Sequence, residues 1–159
     1  MILTSDLDLL QLVTPVTEVE FFRQYWINRT FDVKAAKRRF GGLAPENIPD
    51  YKALAGDTSD NLPGVPGIGA VAATAVLGEY GNLDKVYEDL EAISKLPIRG
   101  ANRVSRLLAE HREQAFLMRT LTTIVCDVPV DLDLDGTMIE KTGLEVVEAK
   151  PWLAGNLDA

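Results

Sequence analysis

The sequence predicts a mainly α-helical domain with a small β element near its N-terminus, and three observations carry that prediction. Beyond residue 30, apolar residues recur at helical spacing in stretches bounded by capping and stop residues. Residues 57–69 hold three glycines and two prolines, a density that breaks regular structure and demands a defined turn, and a small, apolar, helical run follows at once. The alternating strand-like stretches lie near the N-terminus and are short.

Ile2-Leu3-Thr4 reads as a strand end that turns into a short apolar helix over residues 6–12, and residues 16–22 alternate well enough for a second strand. Thr30 or Asp32 caps a helix running through Phe40 and stopping at Gly41-Gly42. Pro45 suits a helix N-terminus, and residues 49–56 continue as helix. The run from Ala70 stops at Gly81, and Asn82 then caps residues 83–90. Residues 99–111 and 113–124 form two more helical segments, divided near His111, which reads as a surface residue. Tyr25 and Trp26 read as packing residues. The acidic segment 131–136 is expected to be a strand or an extended tail, and residues 136–159 form a tail without an assignable pattern. An isolated strand pair is marginal in water, so the edge of the first strand is expected to pair with another chain or to aggregate.

At 159 residues and 47% hydrophobic content the chain can bury one core of ordinary size. No stretch approaches the roughly 18 apolar residues of a membrane span, and the N-terminus lacks a signal-peptide pattern, so a soluble, cytoplasmic protein with no membrane partner is expected. The single cysteine, Cys126, cannot form an internal disulfide and reads as a small core residue beside Ile124 and Val125. A formal net charge of −8 argues against coating duplex DNA by bulk electrostatics, so any nucleic-acid contact must be local.

Such a local contact is offered by Gly64-Val65-Pro66-Gly67-Ile68-Gly69, where Ile68 anchors the turn in the core while Gly67 and Gly69 allow positive φ and close approach of a ligand. The helix that begins at Ala70 turns its free N–H groups outward at the positive end of its dipole, which makes an anion site without a basic side chain. A backbone phosphate held there would be gripped without regard to base sequence. The plainer reading of the same glycines is a tight corner between helices, but the alanine-rich helix that follows, with Ala73 facing its partner, favours the anion site. Basic residues cluster at Lys34, Lys37 and Arg38, and again at Arg99, Arg103 and Arg106 if one helix spans them; either set could track phosphate, and a solvated helix face is the default for both.

Two carboxylate pairs add chemistry. Asp6 and Asp8, two apart at a strand end, would point to one face; Asp57 and Asp60 are three apart at a helix-to-loop junction. Four hard oxygen donors suit Mg²⁺ or Mn²⁺, and phosphodiester hydrolysis commonly uses two such ions about 4 Å apart. Each pair alone reads as a cap or a turn; Asp57 and Asp60 immediately precede the hairpin, which favours a metal on the path of a bound strand.

These residues resemble a known family, the flap endonucleases and the 5′-nuclease domain of bacterial DNA polymerase I. The matching stretches are Thr4-Ser5-Asp6-Leu7-Asp8-Leu9-Leu10-Gln11-Leu12, residues 48–69 and residues 121–130, so that residues 1–135 resemble the C-terminal half of a 5′-3′ exonuclease domain, with the hairpin module at about 48–81. The resemblance implies a helix-three-turn-helix (helix-hairpin-helix-like) module that holds duplex DNA with a 5′ end, nick or flap. It also implies that Asp6, Asp8, Asp57 and Asp60 hold the second of two divalent ions, and that the hairpin carbonyls carry a K⁺ ion. The residues expected to bind DNA are Gly64, Val65, Gly67, Ile68, Gly69 and Ala70 of the hairpin, with Arg99, Arg103 and Arg106 from the second basic cluster.

Two departures qualify this. The family places its first-metal carboxylates and its arch upstream of the position matching Ile2, so the catalytic centre is expected to be half present and activity to require a separate N-terminal nuclease half, with a polymerase as the other expected partner. The family's hairpin helix also opens with a phosphate-binding lysine where this chain has Val71. The expected function is therefore metal-dependent 5′-3′ exonuclease or flap endonuclease activity, inactive without that half; the rival is a non-catalytic DNA-binding module.

Overall fold

The computed structural model describes residues 1–23 and 27–131; Tyr25, Trp26 and residues 132–159 lie outside the described residues. Two units are distinguished, Met1–Val125 and Cys126–Ala159, and the described residues of the second form neither helix nor strand.

The first unit is mainly helical with a small sheet at its N-terminus. Strand β1 (Ile2–Thr4) runs parallel to β2 (Val19–Arg23) with Ile2 opposite Val19, and β2 runs antiparallel to β3 (Ile27–Phe31) with Val19 opposite Phe31. The sheet thus has three strands in the order β1-β2-β3, not an isolated pair, and β1 is an edge on which Leu3 is exposed. Strand β2 starts later than the alternation suggested, because Thr14 and Thr17 instead close a tight turn through an isolated bridge. Strand β3 is an addition to the sequence reading. Its Asn28-Arg29-Thr30 centre has no apolar alternation of its own, and the ladder to β2 supplies the order.

Helix α1 (Val33–Arg39) is capped by Asp32, whose carboxylate accepts the Ala35 N–H at 2.6 Å. It ends where Gly41 and Gly42 take positive φ and the Gly42 N–H reaches back to the Lys37 carbonyl at 2.7 Å, a closure that satisfies a terminal carbonyl. Pro45 opens a 3-10 turn, Pro45–Asn47, that runs into α2 (Ile48–Ala55). Helix α3 (Ala70–Tyr80) follows the glycine-rich corner and stops at Gly81, whose N–H bonds the Leu77 carbonyl at 2.8 Å. The segment after Asn82 is broken in two, α4 (Leu83–Glu88) and α5 (Leu90–Ile93), because Asp89 caps the second piece on the Ala92 N–H. Helices α6 (Ala101–Glu110) and α7 (Arg112–Thr122) meet at His111, which is half-buried at that junction rather than on the surface.

Helix α2 is the centre of the unit, lying against both α3 and α7. Leu54 on α2, Leu77 on α3 and Leu108 on α6 are fully buried and share one core with Leu10, Ile48, Leu83 and Ile93. Asp50 is buried on α2: its Oδ2 accepts the Leu83 N–H at 2.9 Å and its Oδ1 lies 3.9 Å from Arg119 of α7, so one carboxylate joins three helices. Cys126, expected in the core, is exposed, since α7 ends at Thr122 and the following backbone carries no regular structure. No helix among the described residues is long and apolar enough to cross a membrane.

Candidate functional site

Three local turns and one long-range tie bring carboxylates together at the end of α2. After β1, Thr4 Oγ1 accepts the Asp6 N–H, and Asp6 Oδ1 accepts the Asp8 N–H at 2.9 Å, which starts a 3-10 helix, Leu7–Leu12. This corrects the strand geometry expected of Asp6 and Asp8: Asp6 is a cap, and Asp8 sits inside the helix it caps. Gln11 fastens that helix to the end of α7, donating to the Thr122 carbonyl at 3.1 Å and accepting the Ile124 N–H at 2.9 Å. At the far end of α2, Gly56 takes φ +81° and turns the chain so that Asp57 and Leu62 exchange a pair of 2.8 Å backbone bonds. Within that loop Asp57 Oδ1 accepts both the N–H and the hydroxyl of Ser59, and Asn61 takes φ +56°.

Asp8, Asp57 and Asp60 each present a carboxylate oxygen, all within 4.8 Å of one another. Asp6 does not join that cluster, although it lines the same open cavity of 720 Å³ together with Arg39 and Lys52. Lys52, which the sequence reading missed, is buried on α2 and pairs with Asp8 and, at 2.5 Å, with Asp57 Oδ2. A lysine inside the apolar run of a core helix was the available signal, because a buried cation needs a buried anion. Burial would raise the Asp57 carboxyl, but hydrogen bonds from Lys52 and Ser59 and the charge of Lys52 outweigh it and hold the group at about 2. The donor set is all hard oxygen, and two of its three carboxylates already pair with one positive charge, so it fits a hard divalent cation.

The hairpin begins within contact distance of this loop. Gly64 takes φ +63° and lies against Gly56, and the Val65 N–H bonds the Leu54 carbonyl at 3.0 Å. Gly64, Val65 and Ile68 are buried, so their side of the corner shapes the turn and does not face solvent. Gly67, at φ +81°, is exposed and bounded by the side chains of Arg103 and Leu107 from α6. Gly69 departs from the expected positive φ: at φ −105°, ψ −179° it is the extended N-cap of α3, with no side chain capping the helix and open space around it.

The first bond of α3 runs from the Ala73 N–H to the Gly69 carbonyl, so the amides of Ala70, Val71 and Ala72 have no partner within the helix. Val71 is 83% exposed beside them. Gln114 of α7, also missed in the sequence, donates to the Gly64 carbonyl at 2.6 Å and ties the corner down from behind. Of the three arginines expected on one helical face, Arg103 reaches the hairpin, Arg106 pairs with Glu110 at 3.6 Å, and Arg99 precedes the helix, which starts at Ala101. Lys34, Lys37 and Arg38 are exposed on α1.

Comparison with known proteins bears on this arrangement. Residues 43–144 match the family described as 5′-3′ exonuclease, C-terminal SAM fold. The chain is 40% identical over 141 residues to DNA polymerase I of Chloroflexus aurantiacus, a match covering 87% of this chain and 14% of that protein. It is 34% identical over 141 residues to the 5′-3′ exonuclease of Buchnera aphidicola subsp. Acyrthosiphon pisum, covering 89% of this chain and 48% of that one. The chain therefore spans about half of its exonuclease relatives and a small part of the polymerases. Among solved structures, a bacteriophage T5 5′-exonuclease with divalent metal ions (zinc) bound superposes with a TM-score of 0.57 at 26% identity, over 76% of this chain and 41% of that one. A T5 flap endonuclease in a pseudo-enzyme-product complex with DNA and metal ions gives 0.57 at 25% identity, with the same coverage of each chain.

Proposed function

The chain belongs to the 5′-3′ exonuclease family, C-terminal SAM fold, and on that footing we propose that it is the duplex-holding part of a metal-dependent 5′-3′ exonuclease or flap endonuclease. The observation that carries this reading is the close approach of the carboxylate loop to the hairpin, Gly56 against Gly64, which puts the Asp8, Asp57 and Asp60 carboxylates and the open amides of α3 on adjoining segments. The open amides of Ala70 to Ala72 hold a phosphate of duplex DNA near a 5′ end, nick or flap, with Arg103 supplying charge at Gly67. K⁺ on the hairpin carbonyls would add to that hold.

Asp8, Asp57 and Asp60 hold one divalent ion, Mg²⁺ or Mn²⁺, and Asp6 organises the turn that presents Asp8. When bound, such an ion supplies charge neutralisation at the phosphate and a more acidic water. The chain's own share is positional: the hairpin sets the register of the strand, and the Asp57 loop, tied to the hairpin through Gly56, keeps the carboxylates at a constant distance from it. Hydrolysis in this proposal draws on further carboxylates from the remaining half of the nuclease domain, working with a polymerase or on its own. The test is cleavage of a 5′-flap duplex by this chain combined with the N-terminal half of a relative. Mg²⁺-dependent cleavage that Asp57→Asn and Asp60→Asn abolish is expected, and no cleavage by any combination would favour a module that binds DNA without cutting it.

A further inference from the structure

A hard-oxygen metal site needs carboxylates; it does not need a lysine among them. Lys52 nevertheless ends there, 5% exposed, with its ammonium paired to Asp8 Oδ1 and Asp57 Oδ2. Burial has stripped its hydration, and the two carboxylates replace it. Those carboxylates come from separate segments, the 3-10 helix after β1 and the loop after α2, so the ammonium is a tie between them. The other Asp57 oxygen, Oδ1, is already bonded to Ser59. Both oxygens of Asp57 are therefore engaged by the chain's own donors.

We propose that Lys52 is an internal competitor for the divalent cation: it holds Asp8 and Asp57 in register in the metal-free chain, and a divalent ion binds by taking over the carboxylate oxygens that Lys52 holds. This rests on the metal reading of the preceding subsection and adds a control on it. Carboxylate oxygens within 4.8 Å of each other repel unless a cation lies among them, and Lys52 meets that need while no metal is bound. The same positive charge opposes an arriving dication, so the site binds metal more weakly than its three carboxylates would alone. Metal occupancy then follows the concentration of free cation, and the corner that abuts Gly64 keeps its shape whether or not the ion is there.

The test is direct binding of Mn²⁺ to the full chain without DNA, read by electron paramagnetic resonance, for the wild-type protein and for Lys52→Met. The variant is expected to bind about tenfold more tightly, as removal of one nearby like charge requires; equal or weaker binding overturns the proposal. A second readout needs no variant. Titration of the wild-type chain with Mg²⁺ should shift the ε-methylene NMR signal of Lys52 in step with metal occupancy, and a signal unmoved at saturation overturns the exchange. If wild type binds Mn²⁺ and Lys52→Met binds no more tightly, this inference alone falls; if neither takes up Mn²⁺, the metal reading falls with it.

Discussion

Gly64 rests directly on the main chain of Gly56: a Cβ on Gly64 would lie 2.7 Å from the Leu54 carbonyl oxygen and 2.8 Å from the Gly56 Cα. The obstacles are backbone atoms of the α2 terminus, which cannot rotate away, and Gly64 also holds a left-handed φ. Gly64→Ala is therefore expected to lose about 2–4 kcal/mol in denaturant unfolding. Gly67→Ala meets only the mobile ends of Arg103 and Leu107, and its cost should be about 1–2 kcal/mol, mostly from φ.

Gln114 acts on the other side of the same residue. Its amide is the side-chain partner of the Gly64 carbonyl, and Gln114→Leu leaves that carbonyl without it. Stability should fall by about 1 kcal/mol, with helix content by circular dichroism unchanged. Duplex affinity should fall further than that destabilisation explains, because the corner loses its tether.

Charge at the hairpin comes from α6 and not from α3, since Val71 stands exposed at the mouth and Arg103 lies beside Gly67. Arg103→Ala should weaken duplex binding and reduce the slope of log affinity against log salt by about 1. Val71→Lys should do the reverse, raising affinity and steepening the slope by a similar amount. Arg106→Ala, which removes a residue paired with Glu110, should change the slope less than Arg103→Ala.

Two aspartates at opposite ends of α2 make opposite contributions to pH dependence. Asp57 is held at about 2, below an unfolded value near ~3.9. Its stabilising contribution is fully present above the unfolded value and is lost as pH falls through 2. Burial raises Asp50, against the lowering effects of the Leu83 N–H and Arg119. Its contribution is largest below the unfolded value and is lost as pH rises through its raised folded one. Unfolding free energies should show the wild-type advantage over Asp57→Asn shrinking on acidification below ~4, and the comparison with Asp50→Asn drifting against wild type as pH rises above ~4.

The hairpin was legible because its chemistry is local: glycine, proline and the onset of an alanine-rich helix specify the corner without reference to distant residues. The break at His111 and the stop at Gly81 were legible for the same reason, and the cap of α1 was narrowed to Thr30 or Asp32, of which Asp32 serves. Lys52 and Gln114 were not, because each acquires its role from a partner far along the chain, Asp8 in one case and Gly64 in the other. Strand β3 owes its order to β2, and Asp6 became a cap because Thr4 and Asp8 offered local bonds that a strand would not use. Gly69 was misjudged in φ, since an N-cap is extended and needs no left-handed residue.

The claim on which the account depends is that main-chain amides at the start of α3 hold a duplex phosphate. Ala70→Pro tests it with little disturbance, since proline is well tolerated at the first helical position, Gly69 is already extended, and the substitution deletes one of the open N–H groups. Measured by fluorescence anisotropy at fixed salt, the variant should keep the thermal stability of the parent and bind duplex about tenfold more weakly, the loss expected for one hydrogen bond to a charged acceptor. A variant equally stable that binds duplex as tightly as the parent would contradict the account.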